Sequence, residues 1–194
     1  MGKLESISEK EIYLFFESNL RDRITDRELK RYVVSVMTDF MHSEKFFLFF
    51  DERAESVRFD AIFKQDKIKA YNLFKDIGDS YLWFCGFYPE FLSKKKKSRL
   101  GLETYIEYGK ESYNYAVYIG NAMKNSSLDT RTISRASDNF VYLARAIFDF
   151  RSRVDSRKLI YTINPGILEE IRNIMYNGRN IPELAENPML KIIR

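Results

Sequence analysis

Residues 77–92 read Ile-Gly-Asp-Ser-Tyr-Leu-Trp-Phe-Cys-Gly-Phe-Tyr-Pro-Glu-Phe-Leu, and no other stretch constrains the fold as much. It is the densest aromatic segment and holds the single Trp and the single Cys, Trp83 and Cys85. Ala70, Phe74, Ile77, Tyr81, Phe84 and Tyr88 recur at helical steps, so they line one stripe of a helix that starts near Asp66. Pro89 ends it, because proline inside a helix loses a hydrogen bond and clashes with the preceding turn. Gly78 and Gly86 lie within this helix, where each costs about 1 kcal/mol relative to alanine; they call for the close approach of another backbone, or a kink. The segment is expected to be the core helix.

The remaining periodicity is also helical. Ser8 and Glu11 have the capping-box spacing, with Ile12, Phe15 and Phe16 on one face behind them, which predicts a helix from Glu9 to Leu20. Thr25 and Glu28 repeat the box; Leu29, Tyr32, Val33, Val36, Met37 and Phe40 then mark the clearest amphipathic helix, over residues 26–42. Residues 46–50 form a solid apolar run that periodicity does not assign, and Ala54, Val57, Ala61 and Ile62 indicate a further helix. In a long helix over residues 102–123, Gly109, Ser112, Ala116 and Gly120 form a small-residue groove flanked by Tyr105, Tyr113 and Ile119. Such a groove takes a bulky ridge from a neighbouring helix, and the 77–88 segment is the expected occupant.

Ile133, Ala136, Phe140, Leu143, Ala144 and Ile147 predict a fifth long helix, and Leu159, Ile160 and Ile163 a short one. Asn164 before Pro165 is a cap-then-first-position start; Ile167, Leu168, Ile171 and Ile174 follow, and Gly178 is the stop. The tail over residues 181–194 is expected to be irregular. No strand alternation and no internal repeat occurs, and eight Gly with four Pro leave few turn signals. The expectation is an all-α, single-domain multi-helix bundle over residues 1–194, with six or seven helices.

Composition narrows the class. A hydrophobic fraction of 45% excludes the disordered class. The single cysteine excludes an internal disulfide and a thiolate-rich metal site. The first dozen residues are too charged for a secretion signal, and the longest uncharged apolar run near the core, residues 81–89, is about half of the roughly 20 residues that cross a bilayer. A cytoplasmic protein with no membrane span is expected. The net charge is +4, but Lys94, Lys95, Lys96, Lys97 and Arg99 alone supply five positive charges, so the basicity is local.

Catalytic constellations are thin. Gly78-Asp79-Ser80 resembles the nucleophile motif of G-D-S hydrolases, but the single D-x-x-H, Asp39 to His42, precedes the serine and no α/β pattern accompanies it. His42 is the only histidine, so a di-iron pair of E-x-x-H motifs is excluded, and Cys85 reads as a small core residue. Glu103 and Glu107 share a helix face that reads as solvated. Asp79 and Glu90 stand alone among aromatic residues, where a carboxylate needs a partner or borders a cleft. No catalytic residue, metal or cofactor is expected; Asp79, Trp83, Glu90, Tyr105 and Tyr113 are the ligand-cleft candidates, and Lys94, Lys95, Lys96, Lys97 and Arg99 the anion-binding candidates.

The pattern Gly78-Asp79-x-x-Leu82-Trp83-x-x-Gly86-Phe87-Tyr88-Pro89-Glu90, followed by Tyr105-Ile106-x-x-Gly109-x-x-x-Tyr113, resembles a bacterial family of uncharacterised helical proteins of about this length. The likeness spans roughly residues 25–150. It implies a bacterial cytoplasmic helical fold and transfers no catalytic residue. The leading expectation is therefore a non-enzymatic helical protein that binds a protein partner or itself. The alternative is a binder of an apolar or aromatic small molecule, held in a cavity between the 77–88 and 105–116 segments. A lesser one is nucleic-acid or anionic-surface binding through the lysine run, disfavoured because no helix-turn-helix spacing or stacked-aromatic motif accompanies it.

Overall fold

The computed structural model describes residues 8–42, 66–93, 101–123, 128–155 and 165–176. Every regular element among them is helical: α1 (Glu9–Leu20), α2 (Arg27–His42), α3 (Lys67–Phe87), α4 (Pro89–Leu92), α5 (Leu102–Met123), α6 (Thr130–Asp138), α7 (Phe140–Asp155) and α8 (Pro165–Tyr176). The all-α fold follows from the helical periodicity and the scarcity of turn residues. The apolar run at 46–50, the helix around 54–62, the short helix around 159–163 and the tail at 181–194 lie outside the described residues.

The caps follow from the local sequence, with one shift. Ser8 and Glu11 form the reciprocal box that opens α1. At α2 the cap is Asp26 and not Thr25: its Oδ1 accepts the N–H groups of Glu28 and Leu29, both at 3.0 Å. A carboxylate on the cap also suits the positive end of the helix dipole. The expected fifth helix is divided at Asn139. Its backbone N–H and its side-chain amide both donate to the Arg135 carbonyl, at 3.0 and 2.8 Å, while its own carbonyl accepts from Leu143 N–H at 2.9 Å. One asparagine thereby closes α6 and opens α7, and this division, with the separate turn of α4, makes eight described helices where six or seven were expected.

The core is built around α3. From Ile77 to Gly86 every residue except Ser80 is buried, so this half of the helix is enclosed on all sides, as its uninterrupted apolar and aromatic content requires. α5 packs along it antiparallel, with Tyr113 against Gly78, Tyr81 against Gly109 and Tyr71 against Gly120. A methyl group at Gly78 would lie 2.4 Å from the Tyr113 ring, so only glycine admits that ring. The backbone approach expected of these glycines is found at Gly86, where a methyl would meet the Ala144 carbonyl of α7 at 2.9 Å. The small-residue groove of α5 is shared: besides Tyr81 and Tyr71 it receives Phe140 of α7 over Gly109 and Thr130 of α6 over Gly120.

Trp83 lies between Phe40 of α2, 5.8 Å away at 17°, and Phe87, 4.2 Å away at 19°. The stack ties α2 to the end of α3. Its indole Nε1 is buried with no hydrogen-bond partner among the described residues, a cost of about 1–3 kcal/mol that the large buried ring area offsets.

Candidate functional site

Asp79 sits on the enclosed half of α3 and is only 5% exposed. Its Oδ1 accepts from the Tyr32 hydroxyl of α2 at 2.5 Å and from the Tyr113 hydroxyl of α5 at 2.9 Å. Its Oδ2 accepts from Lys75 Nζ, one helical turn back, at 2.6 Å. The ammonium also lies 5.5 Å over the Tyr32 ring. A carboxylate in such surroundings needs this number of donors to offset its lost hydration.

The electrostatics of the cluster reflect that balance. Burial, and then the Asp79 charge, push the phenols of Tyr32 and Tyr113 well above the ordinary tyrosine value. For Lys75 burial alone would act downward, but the charge and hydrogen bond of Asp79 outweigh it, and the net shift is upward. All three groups hold their protons more tightly folded than unfolded. The stability they contribute is present below the unfolded tyrosine value of about 10 and is lost as pH rises from there toward the folded values. Urea midpoints are accordingly expected to fall steeply above pH about 10, with a shallower fall in Tyr32→Phe/Tyr113→Phe. Parallel slopes for the two proteins would contradict this assignment.

Glu90, in the first turn of α4, forms a two-pronged ion pair with Arg151 of α7, both contacts at 2.8 Å and both side chains under 10% exposed. Arg151 also donates to the Phe87 carbonyl and covers the rings of Phe87 and Tyr88 at 5.8 and 5.5 Å. Two residues earlier on α7, Asp149 accepts from Tyr176 of α8 and, at 3.2 Å, from Arg23. Burial raises the Asp149 carboxyl against the opposing pull of Tyr176 and Arg23.

The five ligand-cleft candidates thus fall into separate places. Asp79 and Tyr113 are joined directly, Trp83 belongs to the Phe40–Phe87 stack, Glu90 to the Arg151 pair, and Tyr105 is half-buried with its ring 6.0 Å from that of Tyr81. Ser80 donates to the Asp76 carbonyl at 2.7 Å. Cys85 is fully buried, and burial pushes its thiol far up, away from the reactive thiolate. Glu107 is exposed and pairs with Lys110 at 3.0 Å. The side chain of His42, with Lys94, Lys95, Lys96, Lys97 and Arg99, lies outside the described residues. Among the described residues no cluster of three or more His, Cys, Asp or Glu is placed to hold a metal ion, and no helix is long and apolar enough to cross a membrane.

Residue patterns point to some partners and not to others. Lys75 precedes Asp79 by four residues, a pairing legible from helical spacing; Tyr32 and Arg151 come from 47 and 61 residues away. A half-open cleft of 330 Å³ between α5, the α6–α7 junction and α8 carried no mark in the sequence beyond the Tyr142–Arg145 spacing on one helix. Comparisons of the chain with protein-family models, with curated proteins and with solved structures find no match.

Proposed function

We propose that the chain is a non-enzymatic helical protein that associates with a second copy of itself through the outward face of α3 and α5. The observation that supports it is Tyr118, 74% exposed, with Tyr115 one turn before it 51% exposed. Tyr115 is held in place by Phe74 of α3, ring centres 5.3 Å apart, so the aromatic surface is already ordered before any partner arrives. Tyrosine loses little side-chain entropy on burial and carries a disproportionate share of interface energy.

The charges flanking this face favour a copy of the same chain. Glu111, and Glu107 with its partner Lys110, lie on the first half of α5, while Lys67 is exposed at the start of α3, on the side of Phe74 that meets α5. Because the two helices run antiparallel, Lys67 flanks the far end of α5, and the face reads acidic, aromatic, basic. A two-fold axis through the tyrosines sets the acidic end of each copy against the basic end of the other. The buried carboxylates support a binding role over a catalytic one, since Asp79, Glu90 and Asp149 each accept from donors on other helices.

Sedimentation equilibrium tests this. The wild-type protein is expected to show a concentration-dependent dimer that weakens with salt, and Tyr118→Glu to raise its dissociation constant by about ten-fold or more. Glu111→Lys should weaken it as well, with partial recovery on adding Lys67→Glu. A strict monomer at all concentrations would overturn the proposal.

A further inference from the structure

We infer that the cleft between α5, α7 and α8 is a binding site for a small oxyanion, a carboxylate or a phosphate, with Arg145 as its anchor. The cleft measures 330 Å³ and is lined by Lys110, Asn139, Tyr142, Arg145, Met175 and Tyr176 among others. That volume lies at the lower end of small-molecule sites, which run from roughly 300 to 1,000 Å³.

Arg145 is the unusual member. Its guanidinium carbon lies over two aromatic rings, 5.4 Å from the centre of Tyr142 and 5.3 Å from that of Tyr176. Cation–π contacts of this kind hold the cation beside the rings but use none of the N–H donors at its edge. Among the described residues no carboxylate lies within 4 Å of it and no acceptor takes its hydrogen bonds. Neither are the nearby polar groups free to do so. The Tyr142 hydroxyl donates to the Arg23 carbonyl, and the Tyr176 hydroxyl donates to Asp149, which is also held by Arg23. Asp149 lies four residues after Arg145 on α7, and its charge acts on the guanidinium without a direct contact. The two tyrosines are therefore locked by the hydrogen bonds they make elsewhere, and they narrow the positions open to the guanidinium in a cleft of ligand size.

This suits two-pronged oxyanion recognition: a planar fork already restricted, so that binding spends less side-chain entropy. Lys110 of α5 also lines the cleft. It is paired with exposed Glu107, a surface contact weak enough to give way to a bound anion. Asp138 is exposed at the rim and is the one acidic side chain of the lining, which disfavours large polyanions and favours a small singly or doubly charged group. Buried Met175 and Phe140 offer apolar contact to whatever carries the anion.

The site can be tested on the full chain by calorimetric and NMR titration with benzoate, phenyl phosphate, inorganic phosphate and, as a neutral control of the same shape, benzamide. At least one of the three anions is expected to saturate, with shifts centred on Tyr142, Arg145 and Tyr176, while benzamide does not. Saturation by benzoate alone identifies an organic carboxylate as the ligand chemistry. Saturation by inorganic phosphate identifies the phosphate group itself, and by phenyl phosphate alone an organic phosphate. Arg145→Lys keeps the charge but loses the fork, and is expected to weaken binding by about ten-fold. Lys110→Gln, on a half-exposed wall residue whose loss the fold tolerates, should weaken it a few-fold. Failure of all three anions to saturate the wild-type protein would overturn the site whatever the variants do. So would saturation that Arg145→Lys leaves unchanged. The dimer test above varies Tyr118 and Glu111, neither of which lines the cleft, so either proposal can fail while the other stands.

Discussion

Glu90→Ala is expected to cost about 3–5 kcal/mol, a large part of the roughly 5–15 kcal/mol by which a domain is stable. Glu90 and Arg151 are both nearly inaccessible to water, joined by two contacts of 2.8 Å. Removing the carboxylate leaves a guanidinium that is still inside the protein, held over the rings of Phe87 and Tyr88, without the two contacts that Glu90 had supplied. The loss measures the stranded charge and not the worth of the pair. Glu90→Leu/Arg151→Met should therefore be much milder than either single change, because no charge remains to be desolvated. Urea denaturation followed by Trp83 fluorescence reads both effects, since Phe87 lies 4.2 Å from the indole. A single-variant loss below about 1 kcal/mol would mean that water reaches Arg151, which is incompatible with the packing around it.

Asp79→Leu is the second. Lys75 is 31% exposed and can turn outward when its partner is lost. The hydroxyls of Tyr32 and Tyr113 then keep only each other: the two phenols lie within hydrogen-bonding reach, and Tyr113 is fully buried. One hydroxyl can donate to the other, which leaves a single unmet donor at about 1–3 kcal/mol, so a loss of about 2 kcal/mol is expected. Adding Tyr32→Phe and Tyr113→Phe to Asp79→Leu should recover most of it, since apolar groups then face one another in the same volume. Should the triple variant remain as unstable as the single one, the cluster would not be the structural joint assigned to it.

Helix positions in this chain were legible because their causes are local. The Ser8–Glu11 box, the Asp66 start of α3, the Pro89 stop and the 102–123 span all depend on residues within one or two turns, and the structure places them where the pattern does. The misplacements are equally local. Asp26 outcompetes Thr25 for the cap, and Asn139, with a side chain able to close one helix and open the next, interrupts a stripe whose hydrophobic spacing runs straight through it.

Partners were less legible. A buried carboxylate demands donors, so Asp79 and Glu90 stood out by type alone, but the identity of the donors depends on which helices cross and at what register. Arg151 reaches Glu90 from 61 residues away, and Tyr113 reaches Asp79 from 34. A pattern read along one helix carries no information about such crossings.

By itself the sequence determined that this chain is all helical, that the 77–92 stretch lies at its centre and that two lone carboxylates inside it required partners. Those are consequences of propensity, periodicity and desolvation, which act over a few residues. Only the tertiary structure decided that Tyr113 fills the space left by Gly78, that Arg151 answers Glu90, and that two tyrosines flank Arg145 in a cleft. Each of these rests on long-range packing, where the shape of one helix selects the side chain that another presents to it.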